Sequence, residues 1–173
     1  MSQAQTMQAP MDQALHFEVS QLFFREGWLL DNKRWAEWIE LYAPQAEYWV
    51  PAWANETECT GDPGRELSLI YCRDRGGLED RVFRIEAEDS FAAMPLDRTV
   101  HVTSNILLHG EKDGLIEASS SWVTHVYGIY GGFTIAGLSD YSLRRAGGEL
   151  KIARKRTVLI DDKLEYAVDV YHL

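Results

Sequence analysis

Past a polar, Gln-rich start, apolar residues fall into a helical rhythm. Leu15, Val19, Leu22, Phe23 and Leu30 share one face, and Glu26 interrupts it. Asp12 stands where an N-cap belongs, and Asp31-Asn32 marks a break. Trp35, Trp38, Ile39 and Tyr42 then predict a second helix ending near Ala43-Pro44, because proline disfavours helical geometry in the residue before it. Tyr48, Trp49 and Val50 predict a strand over about 46–50, closed by Pro51. Five of the six tryptophans lie between Trp28 and Trp53, so this stretch is expected to supply much of the core.

The pattern then lapses. Residues 52–65, AWANETECTGDPGR, read as a long polar loop, of a kind more often functional or partner-binding than a plain connection. LSLIYC at 67–72 reads as a short buried strand. Gly76-Gly77 interrupts, and Leu78, Val82, Phe83 and Ile85 predict a third helix with Glu79, Asp80, Arg81 and Arg84 outward.

Beyond it the period changes to two. Residues 98–108 place Val100, Val102, Ser104, Ile106 and Leu108 on one face and Thr99, His101, Thr103 and Asn105 on the other. Turns at 110–114, at Gly131-Gly132 and at Gly147-Gly148 separate runs at 115–130 (with Trp122, Val126 and Tyr130), 133–145 and 150–160. Helices first and a four-stranded antiparallel meander last make an α+β layout, a curved sheet covered on one face by N-terminal helices. The expected organisation is a mobile tail at 1–10 and one domain over 11–173.

Composition narrows the chemistry. At 173 residues the chain is 46% hydrophobic and 25% charged, the balance of a globular domain. A formal net charge of −10 argues against nucleic-acid binding, which rests on Lys and Arg meeting phosphates. No signal peptide and no apolar run of membrane-spanning length is legible, so a cytoplasmic protein is expected. The two cysteines, Cys59 and Cys72, have no zinc-like spacing and are taken as free thiols of unassigned role.

Two cysteines without a Cys-X-His pattern cannot hold an iron–sulfur cluster, and no phosphate-binding glycine motif or nucleophile elbow is present. His101, His109 and His125 bind a metal only if neighbouring strands bring them together; alternation puts the first two on one face. One enzyme reading stays open: a free-standing isomerase or dehydratase with an apolar pocket and His101 or Asp31 as base, with Asp140 and Tyr48 as further candidates. Against it, Asp31 also suits a helix junction and Asp140 an exposed strand face. In the run Ala153-Arg154-Lys155-Arg156, alternation puts Arg154 and Arg156 on one face and Lys155 on the other. A solvated strand end and a contact with a partner's carboxylates both fit.

Four stretches in order, YWVPAW (48–53), SLIYCRDRGGLEDRVFRI (68–85), RTVHVTSNI (98–106) and ARKRTVLIDD (153–162), resemble the small, or β, subunit of aromatic-ring-hydroxylating dioxygenases. The first two together look most like the benzoate, toluate and anthranilate type. The resemblance implies a cone-shaped fold of the nuclear transport factor 2 kind. It implies three such chains assembled with three large α subunits, which carry the Rieske iron–sulfur cluster, the mononuclear iron and the substrate pocket. A separate reductase would supply electrons from NADH, and the assembly would cis-dihydroxylate an aromatic carboxylate. No catalytic, cofactor-binding or metal-binding residue is then expected in this chain. Trp53, Arg65, Arg154, Lys155 and Arg156 are the candidate subunit contacts, aromatic and basic residues of the sort interfaces favour. Association through the second sheet face is expected too: helices can cover one face only, yet the meander is apolar on both, with Trp122 and Val126 opposed to Val123, Tyr127 and Ile129. That the self-association is a trimer is what the resemblance implies.

Overall fold

The computed structural model describes residues 12–87, 95–129, 131–164 and 167–173. The expected tail at 1–10 and Tyr130 lie outside the described residues. The described elements run α1 (Gln13–Asp31), α2 (Trp35–Ile39), β1 (Tyr42–Pro51), β2 (Ser68–Cys72), α3 (Arg75–Glu86), β3 (Arg98–Lys112), β4 (Leu115–Gly128), β5 (Gly131–Ala146), β6 (Glu149–Leu159) and a terminal 3-10 turn, Val170–His172.

The strands form one mixed sheet in the order β2-β1-β6-β5-β4-β3. β3 to β6 are the expected antiparallel meander; β1 joins it parallel to β6 and pairs antiparallel with β2. The fold is α+β, a curved sheet wrapped round its helices. Asp12 caps α1 as expected, its carboxylate accepting from the Ala14 and Leu15 amides at 3.0 and 3.2 Å. Val19, Phe23 and Leu30 of α1 meet Ile116, Trp122 and Ile135 of the sheet in one apolar core.

Several expectations are corrected. α2 stops at Ile39, and Tyr42 already belongs to β1. Pro44 sits inside that strand, tolerated because Tyr42–Glu47 bulges opposite the shorter Ile152–Arg154 step of β6 and needs no amide there. Gly76 and Gly77 fall within α3 instead of before it. Phe83 is exposed on that helix and Arg81 half-buried against Asp169. β2 is an edge strand exposing Leu69 and Tyr71. Trp28 is 54% exposed and contributes little to the core. Gly131-Gly132 opens β5, already paired with Gly128 and Tyr127 of β4, instead of forming the turn.

The largest correction concerns β3. Its polar face, Thr99, His101 and Thr103, turns inward under α1, while Val100 and Val102 are more than half exposed, 57% and 55%. A bulge at Asn105, whose φ of 51° is left-handed, then reverses the alternation so that Ile106 and Leu108 pack on the core. His16 of α1 donates its Nε2–H to the Ile106 carbonyl at this bulge, at 3.1 Å.

Candidate functional site

Inside the cone the sequence pattern is answered by chemistry. Glu26 interrupts the apolar face of α1, and Lys155 is the inward member of the basic run on β6. They meet in the interior: Lys155 Nζ donates to Glu26 Oε1 at 2.9 Å, with both side chains only 4% exposed. Tyr42 and Tyr141 donate their hydroxyls to the same carboxylate, the latter at 3.0 Å. The ammonium also lies 5.6 Å from the Tyr48 ring centre and 5.5 Å from that of Tyr141. Burial, followed by the Glu26 carboxylate, holds the Tyr42, Tyr48 and Tyr141 phenols well above their ordinary pKa, so they stay neutral. The charges of Glu26 and Lys155 are paired and two of the three phenols have an acceptor, while the buried Tyr48 hydroxyl has no partner; the cluster builds the interior instead of offering an open binding site.

Aromatic rings fill much of the remaining space. Phe23 stacks on Tyr141 at 4.0 Å, and Trp38 meets Tyr42 edge-on at 5.3 Å. Trp122 lies against Gly137 of β5, where an added methyl would come within 2.7 Å of the indole. A side chain at Gly137 would displace the tryptophan or bend the strand.

The Asp31 and His101 pair is assembled. His101 Nδ1–H donates to Asp31 Oδ1 at 2.6 Å, the His101 amide to Oδ2 at 3.0 Å and Thr99 Oγ1 to Oδ1 at 2.9 Å. Asp31 is the last residue of α1, so these bonds pin the helix end to β3. Gly27 presses on the same histidine, since an added methyl would come within 2.9 Å of its Cβ. A surface cleft of about 550 Å³ borders α1, α2 and the β5–β6 turn, lined by Glu18, Arg25, Glu40 and Lys151 among others; neither Asp31 nor His101 lines it. Burial raises the Asp31 pKa, but the bonds from His101 and Thr99 outweigh it and leave the carboxyl below its ordinary value. A depressed carboxyl stabilises the fold above the unfolded pKa of about 3.9 and loses that contribution as pH falls through the folded value. Asp31→Asn is therefore expected to cost about 1–3 kcal/mol at neutral pH, less as the medium is acidified. Denaturant melts of both proteins down the acid range check this; parallel acid limbs would refute it.

The three histidines do not converge. His101 faces α1, whereas His109 and His125 are exposed and bond to Ser119 and Thr134. The β3 bulges undo the expected shared face of His101 and His109. Among the described residues no three His, Cys, Asp or Glu side chains gather as a metal-ligand set. Cys72 is buried and Cys59 half-buried; both are free thiols.

The contact candidates separate. Lys155 is withdrawn from the set, because it points into the core and is bound to Glu26. Arg154 and Arg156 do share the outer face: Arg154 pairs with Glu47 at 3.1 Å, while Arg156 lies 3.5 Å from Asp140 and 5.3 Å over Trp49. Asp140 is exposed there and Tyr48 buried, so neither joins His101. The long loop folds back on itself, Asn55 Oδ1 accepting from the Thr57 and Glu58 amides and Glu66 from those of Gly61 and Asp62. Trp53 donates its indole N–H to the Leu159 carbonyl at 2.9 Å, which fastens the loop to the end of β6. Arg65 projects from it with its side chain 87% exposed.

Val123, Tyr127 and Ile129 are exposed on the outer sheet face, opposite the buried Trp122 and Val126, as the alternation predicts. Sequence reasoning missed that Val100 and Val102 are exposed as well, and Leu138 with them.

The family profile described as ring hydroxylating beta subunit matches residues 25–166, most of the chain. This chain belongs to that family. The β subunit of benzoate 1,2-dioxygenase from Acinetobacter baylyi is 41% identical over 157 residues, 90% of this chain and 92% of the relative. The small subunit of anthranilate 1,2-dioxygenase from the same organism is 41% identical over 165 residues, 94% and 100% of the two chains. The crystal structure of the benzoate 1,2-dioxygenase β subunit from Burkholderia mallei superimposes with a TM-score of 0.74 at 32% identity, covering 96% of this chain and 100% of that one. Naphthalene 1,2-dioxygenase matches at 0.75 and 17% identity, and a putative scytalone dehydratase from Novosphingobium aromaticivorans at 0.65 and 14%; these show the shared fold alone. The β subunit is thus a component of a ring-hydroxylating dioxygenase, an oxidoreductase system, and small-subunit membership implies a large-subunit partner. The family favours this reading over a free-standing isomerase. No described helix is long and apolar enough to cross a membrane.

Proposed function

We propose that this chain is the non-catalytic β subunit of a cytoplasmic oxygenase that cis-dihydroxylates an aromatic carboxylate, with three copies supporting three catalytic large subunits. The observation that carries it is the 41% identity, over at least 90% of the chain, to small subunits of benzoate and anthranilate dioxygenases. Both names denote an aromatic ring bearing a carboxylate. The Rieske cluster and mononuclear iron are assigned to the large subunit, because Cys59 and Cys72 offer no cluster motif and the histidines of the sheet are dispersed. Purified alone, the β subunit is expected to carry no stoichiometric iron and to oxidise nothing. With the large subunit and a reductase, benzoate or anthranilate should be consumed. Iron with the visible absorption of a Rieske cluster in the isolated chain would overturn the assignment.

Trp53, Arg65, Arg154 and Arg156 remain the proposed subunit contacts. The pairs made by Arg154 and Arg156 inside the chain are solvent-accessible, and such pairs contribute at most about 1 kcal/mol to the fold. R154E/R156E should therefore leave the monomer folded while weakening assembly in a salt-dependent way. Undiminished co-purification with the large subunit would exclude these arginines.

A further inference from the structure

The chain ends in a buried segment that none of the roles above uses. Val170, Tyr171, His172 and Leu173 are at most 4% exposed. The imidazole of His172 holds this segment from both of its ring nitrogens.

The two ring nitrogens have opposite jobs. Nδ1 accepts the backbone N–H of Asp169 at 3.0 Å, completing a capping box in which the Asp169 carboxylate accepts from the Val170 amide. Nε2 lies 3.3 Å from Asp97 Oδ2 and supplies the proton to that carboxylate. The ring packs 4.1 Å from Tyr171 and 6.1 Å from Phe133 of β5. An Nδ1 that accepts an N–H must carry its lone pair, so the docked ring is the neutral tautomer with hydrogen on Nε2. A second proton has to go on Nδ1, where it confronts the Asp169 N–H and breaks the cap.

We propose that His172 is a pH-operated latch, holding the C-terminal segment docked when neutral and releasing it when protonated. The charged groups around it are Asp97, which precedes β3, Asp169 on the segment itself and Lys33 from the α1–α2 turn. Lys33 donates to the Asp97 carbonyl at 2.8 Å and lies 5.1 Å from the Tyr171 ring centre. Arg81 of α3 engages the Asp169 carboxylate at 2.9 Å and so weakens its pull on the ring. Burial pushes the His172 pKa down, the Asp97 and Asp169 carboxylates push it up, Lys33 pushes it down again, and the net direction is down. A depressed histidine favours docking above the unfolded pKa of about 6.5; docking weakens as pH falls from there through the folded value. Release would end the Arg81–Asp169 pair and lift Tyr171 from the Trp35 ring, 6.3 Å away.

Hydrogen–deuterium exchange of the C-terminal peptide in the full chain tests this, with rates corrected for intrinsic pH dependence and a β4–β5 peptide as internal reference. Opening is expected to rise by up to about tenfold one pH unit below the ordinary histidine pKa, with the reference peptide unchanged. H172N keeps an oxygen able to accept the Asp169 N–H but does not titrate, so its exchange should be flat with pH. No rise in the parent chain, or the same rise in H172N, overturns the proposal. If H172N is undocked at every pH, D97N decides. It leaves an acceptor for Nε2–H but withdraws a carboxylate that favours the charged ring, so the docked pKa falls further: opening should set in at the same pH, fixed by the undocked ring, and go on rising to lower pH than in the parent chain. An opening curve that levels off where the parent's does overturns the latch.

Discussion

Replacing Glu26 by alanine is expected to cost about 3–5 kcal/mol, a large part of the 5–15 kcal/mol that holds a typical domain folded. The loss has two sources. Lys155, 4% exposed, keeps a buried charge without a counter-charge. Tyr42 and Tyr141 lose the acceptor of their hydroxyls, at about 1–3 kcal/mol for each donor left unsatisfied. E26L/K155M removes both charges but strands the two phenols, so it should recover only part of the loss. Adding Y42F and Y141F should bring stability near that of the parent chain, because a well-packed apolar cluster commonly matches a buried ion pair. Denaturant titration of the four proteins measures the series. A loss below about 1 kcal/mol in E26A would mean that water reaches Lys155 and the interior is not closed.

This pair also shows how far the sequence could be read. Glu26 was legible as a breach in an apolar face, and Lys155 as the member of a basic run pointing away from its neighbours. Glu26 stood only as an interruption, and for the run holding Lys155 a solvated strand end and a partner contact both fitted. Two opposite charges, both at inward positions of otherwise apolar elements, are together the signature of a buried pair, but they lie on α1 and β6, at opposite ends of the chain. Periodicity places a side chain on a face; it does not say which distant element covers that face.

The meander, the α1 cap and the break at Asp31-Asn32 were local signals, and the structure follows them. What failed was non-local. On β3 the apolar alternation pointed to the wrong face, because Thr99 and His101 are drawn inward by Asp31 and the bulge at Asn105 reverses the rest. An asparagine accepting φ > 0 inside a strand pattern was the available hint. Pro44 reads as a helix stop, yet it lies within β1 because that strand bulges against β6. The parallel β1–β6 pairing joins distant stretches of chain and leaves no turn signal between them. Arg65, Arg154 and Arg156 were legible as exposed cations, but their partners within a complex depend on a surface this chain does not encode.

The second large effect is expected on the outer sheet face. Val102 and Val123 are direct cross-strand partners there, 55% and 41% exposed, with Tyr127 and Leu138 on the neighbouring surface at 50% and 56%. A soluble antiparallel sheet with one face in water ordinarily alternates cleanly, and this one does not. Under the proposed three-fold assembly a neighbouring copy covers these residues. Closed cyclic symmetry then requires the patch to fit a different surface of the next copy. V102K/V123E tests that requirement while sparing the monomer. Opposite charges directly across an antiparallel pair are favourable, and exposed substitutions of this kind usually change stability by no more than about 0.5 kcal/mol. In an interface the same two charges must be stripped of water, so the association constant should fall by at least about a hundredfold, or roughly 2.7 kcal/mol. Native mass spectrometry of the co-expressed complex reads the outcome directly. The parent chain should give three β chains with three large subunits, and the double variant should give a folded, unassembled β chain with unchanged circular dichroism. A double variant that still assembles in full would show that this face stays in water, and the trimer would have to be built on other surfaces, such as the exposed aromatic residues Phe17, Phe24 and Trp28 of α1.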